Sequence, residues 1–67
     1  MIIIDNKVCI VSVGYTSVKD GIAKTRFEVR KYDSLKQRDV QHIKIFWGFD
    51  ARQDAIDFAL QYAKDND

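Results

Sequence analysis

Ala55, Ala59 and Ala63 recur every four residues near the end of the chain, in a stretch that opens on Asp50 and contains no glycine or proline. That spacing constrains the fold more than any other feature. On an α-helix it lines three small side chains along one face, with Phe58 and Tyr62 flanking them on one side and Ile56 and Leu60 on the other. A helix with an alanine ridge needs a flat apolar surface it can approach closely, and a β-sheet supplies one. The opposite face carries Gln53, Asp54, Asp57, Gln61, Lys64 and Asp65, a polar and net acidic back. Asp50 is the expected N-cap, with Gln53 three residues later able to reach back to it, and Gly48 permits the bend into the helix.

The residues before the helix read as strands. Ile2 to Ile4 is a short β-rich run that ends at the turn triplet Asp5-Asn6-Lys7. A second run, Val8 to Val18, precedes Lys19-Asp20-Gly21, a hairpin signal. The third run, Ile22 to Tyr32, alternates, with Ala23, Thr25, Phe27 and Val29 on one face and Lys24, Arg26, Glu28 and Arg30 on the other. A three-residue Lys19-Asp20-Gly21 loop with Gly21 left-handed sets Val13 opposite Phe27, Val11 opposite Val29 and Tyr15 opposite Thr25. It is preferred to a two-residue turn that puts Val13 against Glu28. Asp33 to Asp39 reads as a polar connector with room for a turn of helix. Val40 to Trp47 forms the last strand, with Ile43, Ile45 and Trp47 toward the helix and Val40, His42, Lys44 and Phe46 away from it. The expected fold class is therefore α+β: an antiparallel three- to four-stranded sheet in β-β-β-β-α order, packed on one C-terminal α-helix. With 67 residues and no linker-like segment, residues 1–67 read as a single domain.

Several function classes are disfavoured by composition. One cysteine, Cys9, forms no internal disulfide and reads as a packed thiol on the core-facing phase, and no zinc spacing, phosphate loop or nucleophile motif is present. No cofactor, metal site or catalytic residue is expected. No run is long enough to span a membrane, and a cytoplasmic setting is the default expectation.

Charge is segregated although the net is only +1. Lys19 to Lys44 holds eight bases against four acids, and Ile45 to Asp67 holds two bases against five acids. On the strand phases above, Lys24, Arg26, Arg30, His42 and Lys44 share the sheet face away from the helix, with Phe46, Ile10, Ser12, Gly14 and Thr16. A face of that kind suits a phosphate backbone, with Phe46 or Tyr32 stacking on a base, although Glu28 interrupts it. The Trp47-Gly48-Phe49-Asp50 junction followed by Asp54-Ala55 and Ala59 is similar to the strand-to-helix junction of AP2/integrase-type DNA-binding domains. That resemblance implies a three-stranded sheet on a C-terminal helix, with the open sheet face entering DNA. The strand order is also similar to that of Whirly-type single-stranded-DNA-binding dimers.

Two readings of function follow. The preferred one is a small non-catalytic protein-binding regulator or inhibitor, of the sort phages and mobile elements encode. It would act through the open sheet face, the edge strand or the acidic helix face formed by Asp54, Asp57 and Asp65. The alternative is a nucleic-acid-binding accessory domain using the basic sheet face, Lys24, Arg26, Arg30, His42, Lys44 and Phe46. The Ile2 to Ile4 edge strand is additionally a candidate for pairing with a second copy.

Overall fold

The computed structural model describes the backbone of residues 1–16 and 23–66, and the side chains of all of these except residues 15, 16, 23 and 24. Four strands, β1 (Ile2–Ile4), β2 (Val8–Thr16), β3 (Ala23–Asp33) and β4 (Arg38–Phe46), form one antiparallel sheet in the order β1-β2-β3-β4, and the helix α1 (Ala51–Asp65) follows. The α+β architecture matches the expectation. The turns explain the meander. Asp5 and Asn6 take positive φ, 52° and 55°, and Lys7 N–H donates to the Ile4 carbonyl at 3.1 Å. Asp and Asn tolerate that left-handed geometry better than other residues with side chains. The segment expected as a polar connector is instead a tight turn. The Asp33 carboxylate accepts the Leu35 and Lys36 amides at 2.9 and 3.2 Å, Gln37 takes a φ of 55°, and Arg38 and Asp39 already belong to β4.

Gly48 makes the turn into α1 with a φ of 101°, a value strained for any residue carrying a Cβ. Asp50 is the N-cap residue, and its carbonyl accepts the Asp54 amide at 2.8 Å, but its side chain caps nothing. Gln53 donates forward to Asp57 at 2.9 Å and does not reach back to Asp50. The alanine ridge is as expected and extends one turn further: Ala51, Ala55, Ala59 and Ala63 are all buried. It rests on Val8, Ile10 and Val29, with Ile4, Phe27, Ile43, Phe46, Phe58 and Tyr62 packed around the edge. Leu60, expected beside the ridge, is 53% exposed on the outer side. Among the described residues no helix is long and apolar enough to cross a membrane.

The register of β2 on β3, and the sides taken by part of β4, differ from the expectation. In β2 and β3, Ile10 stands opposite Val29, Ser12 opposite Phe27, Val13 opposite Arg26 and Val11 opposite Glu28. The Lys19-Asp20-Gly21 turn that carried the expected register lies outside the described residues. Compared with that register the strands are displaced by one residue, which turns every β2 side chain over. Val8 and Ile10 therefore face the helix with Ser12 and Gly14, while Cys9, Val11 and Val13 face away. In β4 a bulge between Val29 and Arg30 of the pairing inserts Ile43, so His42 stands opposite Arg30 and Lys44 opposite Val29. From that point the alternation is inverted. Lys44 and Phe46 face the helix, and Ile45, opposite Glu28, faces away.

Candidate functional site

The sheet face away from α1 is the surface on which Arg26, Arg30 and His42 of the expected site residues lie, and its centre is an ionic network. Arg26, Glu28 and Arg30 alternate along β3, so strand geometry alone puts all three side chains on this face. Arg26 Nε donates to Glu28 Oε2 at 2.6 Å. Arg30 donates to Glu28 Oε1 from Nη2 at 2.7 Å and from Nε at 3.1 Å, and its Nη1 donates to Asp39 Oδ2 at 2.6 Å. Each guanidinium is one-third exposed, whereas the Glu28 side chain is only 3% exposed beneath them. Two cations and two carboxylates sum to zero charge, and hydrogen bonds between charged partners are the stronger kind. Arg26 also lies over the Trp47 indole, 5.7 Å from the ring centroid.

Hydrogen bonds from Arg30, and then from Arg26, hold the Glu28 carboxyl below the usual carboxylate range, and the Arg30 hydrogen bond does the same for Asp39. A carboxyl depressed by folding contributes stability that is complete above its unfolded pKa, about 4.3 for Glu, and drains as pH falls through the folded value. The thermal midpoint is therefore expected to fall as pH drops below about 4.3, and Glu28→Gln should flatten that acid limb. An unchanged limb in Glu28→Gln would place the acid sensitivity elsewhere.

Around the network the face is apolar. Cys9 stands opposite Arg30 and is fully buried, and burial pushes its thiol pKa up. Val11, Val13 and Ile45 are half-buried, Ile3 is 45% exposed and Trp47 is 54% exposed. Trp47 was expected in the core, and the β4 bulge is why it is not. Arg30 and His42 lie on this face as expected, opposite one another, with His42 exposed. Lys24 stands opposite Tyr15 in the ladder, and its side chain lies outside the described residues.

Lys44 and Phe46 are corrections to the expected site. The Lys44 ammonium sits 5.2 Å from the Phe46 ring centroid and 5.3 Å from that of Phe58, and the two rings are 5.7 Å apart, so both residues belong to the helix-side packing. The acidic back of α1 is where the helical spacing puts it. Asp54, Asp57 and Asp65 are exposed, with Asp57 accepting from Gln53 and Asp65 from Gln61 at 2.8 Å.

Glu28 and Asp39 as partners of the arginines, and Val11, Val13 and Ile45 as their surroundings, are the members sequence reasoning missed. The two-residue spacing of Arg26, Glu28 and Arg30 was the available signal for the first. Among the described residues no three His, Cys, Asp or Glu side chains gather as a metal site. Compared with known proteins, the chain matches no family model, no curated protein and no solved structure.

Proposed function

We propose that this chain is a small non-catalytic protein-binding module, a regulator or inhibitor, whose working surface is the open face of the sheet. The observation that carries the reading is the neutralisation of Arg26 and Arg30 by Glu28 and Asp39. A phosphate backbone is bound by displacing counterions from uncommitted cations, and these two guanidiniums already hold carboxylates. Lys44, expected on the same face, lies on the helix side instead. What the face offers instead is apolar area at Val11, Val13 and Ile45, and a half-exposed Trp47 beside Arg26. Trp and Arg are the residue types that most often anchor protein interfaces.

The edge strand and the acidic helix back are weaker supports for the same class of function. β1 offers only three residues of ladder, and two of the three acids on the back are hydrogen-bonded to glutamines of their own helix. The nucleic-acid alternative keeps the charge segregation of the sequence in its favour, and a titration separates the two readings. At low ionic strength the chain is expected to leave the mobility and anisotropy of generic single- and double-stranded DNA and RNA unchanged. Binding that weakens steeply with added salt, and is lost in Arg30→Gln, would overturn the protein-binding reading.

A further inference from the structure

We propose that the occupant of the open face is a second copy of this chain, stacked sheet on sheet about a two-fold axis; this rests on the reading above and names its partner. The first support is the sequence of β2. Val8-Cys9-Ile10-Val11-Ser12-Val13 is apolar at both parities, the pattern of a strand covered on both faces, whereas a strand with one solvated face alternates with polar residues. α1 covers Val8 and Ile10, whereas Val11 and Val13, on the opposite side of the sheet, are only half-buried. β4 repeats the pattern, with Ile43 toward the helix and Ile45 away from it.

Charge supplies the second support. The Arg26–Glu28–Arg30–Asp39 network is neutral and internally hydrogen-bonded, so its partner has to bring no counter-charge. An identical face meets that condition, because two neutral networks flanked by valine and isoleucine can approach without net repulsion. Sheets pack face to face about 10 Å apart with their strands roughly aligned. In that arrangement the two helices lie on the outside, and the acidic backs carrying Asp54, Asp57 and Asp65 are at opposite ends of the dimer.

Area is the third. Strands of about nine residues at about 3.3 Å each, spaced by about 4.8 Å, give a face of about 30 by 15–19 Å. Two such faces cover about 1,000 Å², the lower limit for a stable interface. A domain this small also buries less of its own surface than a larger one, and so has more to gain from association.

Sedimentation of the full chain from low micromolar to submillimolar concentration tests this. The expected result is a concentration-dependent rise toward twice 7.8 kDa, with Trp47 emission moving to shorter wavelength in step with the mass. Val13→Lys should weaken the dimer at least tenfold while keeping its circular dichroism, and Leu60→Lys on the outer side of the helix should leave it unchanged. Should Val13→Lys unfold, Val11→Thr, which keeps the β-branched shape, replaces it and is expected to weaken the dimer measurably. A monomer at every concentration overturns the proposal. So does a dimer indifferent to these β2 substitutions, or one that forms with Trp47 emission constant, which would place the contact on the Ile2–Ile4 edge. A monomer that ignores nucleic acid removes the second copy and leaves the protein-binding reading standing. A chain that captures nucleic acid through Arg30 removes that reading whatever its mass.

Discussion

Ala59→Leu is expected to abolish most of the stability of this domain. Ala59 is fully buried, at the middle of a ridge whose other members, Ala51, Ala55 and Ala63, are at most 1% exposed. The ridge sets how closely the helix backbone approaches Val8, Ile10 and Val29. Three added carbons at Ala59 have nowhere to go between two backbones, and overpacking a filled core costs about 1–3 kcal/mol or more. The cost does not stay local. Lifting the helix also draws Ile56, Phe58 and Tyr62 away from the partly buried ring of Ile4, Phe27 and Phe46. A single core of this size supplies only about 3–5 kcal/mol in total, so Ala59→Leu should shift the urea midpoint to near zero or leave no folding transition. Leu60→Ala, one residue on and half-exposed, should change the unfolding free energy by about 0.5 kcal/mol or less and so leave the midpoint nearly where it was. Equal midpoints for the two variants would mean that the ridge does not set the helix-to-sheet distance.

That ridge was legible because a period of four in alanine has one geometric meaning, and the sides of β3 were legible because Phe27 and Val29 alternate with Arg26, Glu28 and Arg30. β2 was not legible in the same way. Its apolar residues occupy both parities, so alternation says nothing about which set faces the helix. Only the length of the connecting turn separates the two registers of such a strand, and a three-residue Lys19-Asp20-Gly21 loop implies one displaced by one residue from that observed. β4 failed for a different reason. The bulge at Ile43 adds one residue with no glycine or proline to announce it, and every assignment beyond it inverts, moving Lys44 and Phe46 to the helix side and Ile45 and Trp47 to the open side. The candidate site inherited both displacements. Its basic stripe lost one expected member to the helix side, and its apolar surroundings, contributed by the strand turned over, came into view only with the ladder in place.

The double variant Arg26→Ala/Arg30→Ala is expected to destabilise the chain, although both residues carry the surface charge on which a nucleic-acid reading depends. Glu28 lies opposite Val11 and Ile45, its side chain only 3% exposed beneath the two guanidiniums in the native chain, and the double substitution removes both of the cations that bond it there. Removing the partner of a fully buried charge costs about 3–5 kcal/mol. Because each guanidinium is one-third exposed and water can enter where it stood, about 2–4 kcal/mol is the better expectation here. Each single substitution should cost less than half of that, since the remaining arginine still holds one carboxylate oxygen, so the pair is expected to be more than additive. Adding Glu28→Gln should restore most of the loss, because a neutral amide in the same place has no charge to desolvate. Chemical denaturation of the singles, the double and the triple decides it. A double variant as stable as the native chain would show that Glu28 reaches solvent without its arginines. The face would then be an ordinary solvated one, and the same substitutions would become a clean probe of what its charges bind.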